Sequence, residues 1–402
     1  MSKETLNFEQ TVNAPPSQVY IAFTNATSLR GWLCDVSTVD PKPGGRFYMA
    51  WNNGYYTSGE YTMLEKNQLV SFTWNGRKEP GQTDVEVLLN ETDHGTRLTL
   101  THGGFGTGDA WDKTREECSA GWTKGLKNLA SVLETGEDLR FVMRPMLGII
   151  LTDFDEDIAE QLGIPVSKGV RIDDTVEDMG ARAADLQKDD VIIEMDGQTS
   201  DDFSSLSNVL NRHQAGDKIE VVFYRGTEKM SVMMELSRRP LHEIPETAAE
   251  LAEAVKKRYR EMNKNLSQFL DGVTEEEASY KISLEEWNVK EVLAHLLQSE
   301  QFYQMYIAEV VGGHVRWADD YGGNLQAFID ATVSVYPTLK EMLAALDRTR
   351  GETVVLFTKL PPDFSKQKGS YWQLAYGVLE EPYHDNAHME QMQACIDAAR
   401  NG

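Results

Sequence analysis

The chain has 402 residues, of which 41% are hydrophobic and 9% aromatic, and its formal net charge is −25. That length exceeds what one core supports and the apolar content suits folded domains, so two to four domains are expected. The negative balance argues against nucleic acid or anionic membrane as a partner, because affinity there comes from Lys and Arg replacing counterions.

The stretch richest in apolar residues, 146–151, is far too short to span a bilayer, so no membrane segment is expected. Residues 1–7 lack the apolar core of a secretory signal, which predicts a cytoplasmic protein. Cys34, Cys118 and Cys395 lie far apart with no CxxC spacing, which argues against a disulfide framework or a zinc–cysteine site.

Residues 1–138 read as a strand, short helices, several strands and one long helix. The stretch 5–12 is strand-like and 17–24 has helical periodicity. Residues 46–51, 59–64, 69–74, 85–89 and 96–101 alternate β-branched or aromatic residues between Gly, Asn and Asp turns. Over 111–133 the period becomes helical, with Trp122, Leu126, Leu129 and Leu133 spaced by one turn, and Gly136 ends it. Gly104, Gly106 and Gly108 form a turn like those that cradle phosphate. No βαβ unit with a downstream acid follows, so a flexible loop is the expectation there.

Several motifs give this segment a family likeness. They are Ala14-Pro15-Pro16, Leu29 with Trp32, Pro43-Gly44-Gly45-Arg46-Phe47, Ser58-Gly59-Glu60-Tyr61, Phe72-Thr73-Trp74 and Gly121-Trp122. With them the segment resembles the SRPBCC (START-like) superfamily, in the branch homologous to activators of the ninety-kilodalton heat-shock ATPase. The resemblance implies a helix-grip fold, in which a curved antiparallel sheet wraps a long C-terminal helix around a pocket for a small apolar ligand. Trp32, Phe47, Trp74 and Trp122 would line that pocket; alternatively these aromatics fill the core.

Residues 142–239 form a second unit. Pro145-Met146-Leu147-Gly148-Ile149, Gly180-Ala181-Arg182-Ala183-Ala184-Asp185-Leu186, Asp190-Val191-Ile192-Ile193 and Asp196-Gly197 resemble a PDZ domain of the HtrA type, a β-sandwich or barrel. Asp185 and Asp189 stand where that family usually has Gly, and Asp tolerates the left-handed turn better than most residues. The resemblance implies a groove for a protein C-terminal peptide. Backbone N–H groups around Leu147, Gly148 and Ile149 would cradle the carboxylate. The edge strand Ile149-Ile150-Leu151 would pair with the peptide beside a helix bearing Leu206 and Val209. The alternative is that these apolar residues seal against one another. No protease nucleophile signature accompanies the unit.

Residues 246–402 read as an all-α four-helix bundle. An apolar stripe runs over 248–270. Asn288 can cap a second helix from Val289, with Glu291 as its reciprocal partner. A third helix covers 325–346, interrupted by Pro337, and a fourth covers 371–399, with Pro382 as a kink or a fresh start. His295 lies near the apolar stripe of the second helix. His384 and His388 are four residues apart, so they project from one face of the fourth. Three imidazoles from two helices can grip one divalent ion and leave positions open for water or substrate. Neutral imidazole suits zinc, nickel, iron or copper, so the ligand set does not choose the metal.

The runs around Trp287-Asn288-Val289 to His295 and around Tyr383-His384 to Met392 resemble the DinB/YfiT-like family, where the same three positions bind metal. That resemblance implies a thiol-dependent transferase or hydrolase. A second reading is a non-enzymatic adaptor or sensor that binds an apolar ligand and a peptide end. His314 reads as an exposed loop residue and Cys395 as packing.

Overall fold

A computed structural model describes residues 4–316, 326–380 and 383–401. The fold is multidomain α+β. It divides into two compact units, one joining Met1–Gly136 to His242–Gly402 and the other formed by Glu137–Leu241.

The first unit begins with β1 (Glu4–Val12), α1 (Pro16–Thr24), α2 (Ala26–Trp32), β2 (Val36–Val39) and β3 (Arg46–Ala50). It continues through β4 (Tyr56–Glu65), β5 (Leu69–Gly76), β6 (Thr83–Thr92), β7 (Gly95–Phe105) and the long helix α3 (Asp109–Glu134). The seven strands form one antiparallel sheet in the order β1-β7-β6-β5-β4-β3-β2. Pro16 opens α1, where a missing N–H costs no hydrogen bond. Asn25 caps α2 by accepting from the Ser28 N–H at 3.0 Å. Helix α2 and strand β2 are too short for a readable period, which is why sequence reading passes over them. Gly59 of β4 has no room for a side chain. A Cβ there would stand 2.0 Å from the Thr73 carbonyl oxygen of the neighbouring strand.

The second unit comprises α4 (Leu139–Val142), β8 (Pro145–Met146), β9 (Ile149–Thr152), α5 (Glu156–Leu162), β10 (Val170–Thr175) and α6 (Gly180–Ala183). After these come β11 (Val191–Met195), β12 (Gln198–Thr199), α7 (Phe203–Leu210), β13 (Lys218–Arg225), β14 (Glu228–Glu235) and β15 (Ser237–Arg238). Its main sheet runs β14-β13-β11-β10-β9, which leaves β9 at an edge. Asp185 and Asp189 adopt φ of 60° and 69°, the left-handed geometry that glycine would otherwise supply. Asp190, fully buried, accepts from the Gln187 N–H and from Nε and Nη2 of Arg225, each at 2.8 Å.

The rest of the first unit is helical: α8 (Ala248–Phe269), α9 (Glu275–Ser279), α10 (Val289–Gly312), α11 (Gln326–Val335), α12 (Leu339–Thr358), α13 (Lys368–Leu379) and α14 (Tyr383–Asn401). The long helices α8, α10, α12 and α14 supply the bundle, with α12 packed on α8 and α10. The expected third and fourth helices are each divided. Pro337 separates α11 from α12, and Thr338 with Glu341 forms a capping box that restarts the chain. The expected box of Asn288 and Glu291 is present at the head of α10. Among the described residues, no helix is long and apolar enough to cross a membrane.

Candidate metal centre

Helix α10 carries His295 into the bundle, where its side chain is buried. Helix α14 brings His388 to it, with ring centroids 4.8 Å apart and planes at 66°. Two imidazoles sharing one ion at a metal–nitrogen distance of about 2 Å place their ring centres about 5 Å apart, close to the separation of this pair. Gln391 Oε1 lies 3.0 Å from His388 Nδ1. A carbonyl oxygen at that distance can accept a proton carried on Nδ1 and so restrain the ring. Trp287 lies against His295 at 5.1 Å between ring centres, and its Nε1–H donates to Gln326 Oε1 at 3.0 Å.

His384 belongs to α14, one turn before His388, but its side chain lies outside the described residues. Among the described residues no group of three or more His, Cys, Asp or Glu side chains is placed to hold an ion. Glu291 is engaged by its cap and by Lys281 Nζ at 2.8 Å, so it is not poised as a general base. His314 is exposed. Cys395 is buried, its Sγ 3.4 Å from the Trp287 carbonyl oxygen, and burial raises its thiol pKa.

Deeper along α10 a polar cluster closes the core. Glu300 accepts from Tyr259 Oη–H at 2.9 Å and from the Thr353 hydroxyl, while Arg350 Nη1 donates to Asn263 Oδ1 at 2.6 Å. Burial pushes the Tyr259 phenol well above its ordinary range. Gln391 and Glu300 belong to the runs that carry the family resemblance, but sequence reasoning assigned no role to them or to the rest of this cluster; the spacing of three residues from His388 was a signal for Gln391.

Trp32, Phe47, Trp74 and Trp122 are all buried in one core. Trp74 and Trp122 touch with centroids 5.5 Å apart, and Phe47 packs edge-on to Phe72. Each indole N–H has a partner: Trp32 donates to the Ala22 carbonyl at 2.9 Å, Trp74 to Tyr55 Oη at 3.1 Å, and Trp122 to His102 Nδ1 at 3.1 Å. The glycine turn is covered by Trp111, whose indole would lie 2.4 Å from a Cβ at Gly106.

In the second unit Leu147, Leu206 and Val209 are buried in a single cluster with Ile149 against it, whereas Ile150 and Leu151 are 50% and 38% exposed along the edge strand. Gly148 has φ of 77°, and a Cβ there would strike Met179 at 2.3 Å. Close packing on Met179 therefore already requires this glycine.

Family models match three consecutive stretches. They are Activator of Hsp90 ATPase homolog 1-like protein over residues 13–134, PDZ domain over 145–236 and DinB superfamily over 258–392. The chain is a tandem of these three modules. Among curated proteins, a "Probable periplasmic serine endoprotease DegP-like" of Marinomonas sp. (strain MWYL1) is 28% identical over 99 residues, 25% of this chain and 21% of that protein. A protein of the same description from Halomonas elongata is 29% identical over 99 residues, again 21% of its length. The chain thus spans about a fifth of those relatives. Among solved structures, protein MLL2253 from Mesorhizobium loti is 25% identical, covering 32% of this chain and 96% of that one at a TM-score of 0.30. The Aha1 dimer from Colwellia psychrerythraea is 20% identical, covering 33% and 98% at 0.30.

Proposed function

We propose that the chain is a metal-dependent enzyme of the thiol-dependent transferase or hydrolase type, with His295, His384 and His388 of the DinB module holding a zinc, nickel or iron ion. The convergence of the His295 and His388 rings from separate helices carries this reading. When bound, a divalent ion would lower the pKa of a thiol or water and make it a nucleophile near neutral pH. The chain's own contribution is orientation. Gln391 sets the tautomer of His388, and Trp287 walls one side of His295. Elemental analysis of protein purified without an affinity tag tests the reading. About one equivalent of a divalent metal is expected, reduced to background in His388→Ala; a metal-free wild type would end it.

An adaptor reading is favoured by a different observation, the half-exposed edge of β9 at Ile150 and Leu151. Here the PDZ module takes a protein C-terminus by strand addition, cradled near Leu147, Gly148 and Ile149 beside Leu206 and Val209. The activator-homologue module would take a small apolar ligand among Trp32, Phe47, Trp74 and Trp122, which requires those rings to part. Titration with a C-terminal peptide library decides the first. Tryptophan fluorescence during titration with a long-chain fatty acid decides the second, since an unchanged spectrum at saturation leaves no ligand among those rings. A cytoplasmic location belongs to the same proposal and accords with three cysteines that form no disulfide. The DegP-like relatives are named periplasmic but match over PDZ length alone, and subcellular fractionation separates the two.

A further inference from the structure

The two flanks of the PDZ module meet within one compact unit, and the contacts between them are specific. At one point α2 of the activator-homologue module reaches the end of α10, the helix of His295. Asn25 Nδ2 donates to the Gly313 carbonyl at 3.0 Å, Arg30 Nη2 donates to the Val315 carbonyl at 2.6 Å, and Thr27 Oγ1 accepts from the Val315 N–H at 2.9 Å. Gly313 is the left-handed residue that terminates α10. The Asn25 amide thus satisfies the carbonyl of the C-cap residue, and Arg30 holds the chain two residues beyond it, where a positive charge opposes the negative pole of the helix dipole.

At a second point α3 packs on α13. A Cβ at Gly136 would stand 2.4 Å from Trp372 Cβ, and one at Gly369 would stand 2.8 Å from Val132 Cγ1. The returning chain docks on the same helix. Tyr371 Oη–H donates to the Pro245 carbonyl at 2.8 Å, and the His242 ring lies 5.8 Å from that of Tyr376. The chain therefore leaves the first module and enters the third along one short helix.

We infer that the activator-homologue and DinB modules form a single cooperative body, closed by an intramolecular interface in which Asn25 and the first turn of α2 hold the C-terminal end of α10 and the residues that follow it, and that the PDZ module is an insertion into that body. Helix α2 has two faces. Leu29 and Trp32 are buried in the first module's core, while Asn25, Thr27 and Arg30 hold the third module. A change in the aromatic core therefore bears on a helix that also holds the chain leaving α10. The inference does not depend on whether a metal binds.

Hydrogen exchange on the full chain tests it. Arg30→Glu is expected to speed exchange of amides 307–315 about tenfold, the scale of losing one charge-assisted hydrogen bond, with Arg30→Lys in between. Unchanged exchange at 307–315 overturns the inference, because the substituted residue lies in the other module. Gly369→Leu provides an independent check. Leucine favours a free helix, so an undocked α13 keeps or raises the melting temperature. A docked one meets Val132 and melts lower, by several degrees.

Discussion

His388 shows how one side chain can decide the chemistry of another. Gln391 Oε1 lies 3.0 Å from its Nδ1, and under the proposed function that contact orients the ring. Gln391→Ala is expected to weaken metal affinity about tenfold to a hundredfold while leaving the helix intact, as read by competition with a metal-binding dye. Equal affinity in the variant would show that Gln391 does not hold the ring. His102 is a second case. It is buried between Thr83 Oγ1, 2.7 Å from Nε2, and the Trp122 N–H, and burial lowers its pKa to about 4. Its folded pKa lies below the unfolded value of about 6.5, so its contribution is complete above pH 6.5 and is lost as pH falls toward 4. The stake is about 3 kcal/mol at most. His102→Gln should flatten that limb of a stability-against-pH curve measured by urea unfolding. In the PDZ module, Asp190→Ala removes the buried acceptor of the Gln187 N–H and of Arg225, which keeps the Asp185 carbonyl, and should cost about 1–3 kcal/mol in the same measurement.

At the scale of elements, most of the architecture was legible from local signals. The capping boxes at Asn288 and Thr338, the proline break before α12 and the alternating strands around α3 all follow from bonds within a few residues. Helix α2 and strand β2 were not legible, because seven and four residues complete too few periods. Gly59 carries a different kind of information. Nothing nearby in sequence demands it, but the Thr73 carbonyl across the sheet does. Gly59→Ala should therefore destabilise the first module by about 2–3 kcal/mol, visible in the fluorescence of its buried tryptophans. For β9, the edge strand on which the proposed peptide groove rests, Ile150→Pro removes a backbone donor. Peptide binding should then fall below detection in calorimetry while the rest of the fold is retained.

For the whole molecule, three resemblances in series suggested three bodies, yet the chain folds into two compact units. Scanning calorimetry should accordingly resolve two cooperative transitions, one of them carrying the activator-homologue and DinB modules together. Three separable transitions would contradict this. The difference lies in Arg30, Thr27 and Val315, which are ordinary polar and apolar residues in sequence and become partners only across 285 or more positions.

The sequence alone determined the identity and order of the three modules, the helices of the bundle and the histidines worth testing, because periodicity, caps and short motifs are local. Tertiary structure decided that the His295 and His388 rings lie against one another, that Gln391 contacts one and Trp287 flanks the other, and that the outer modules share an interface. Those facts depend on which distant surfaces exclude water together, and no window of neighbouring residues encodes that.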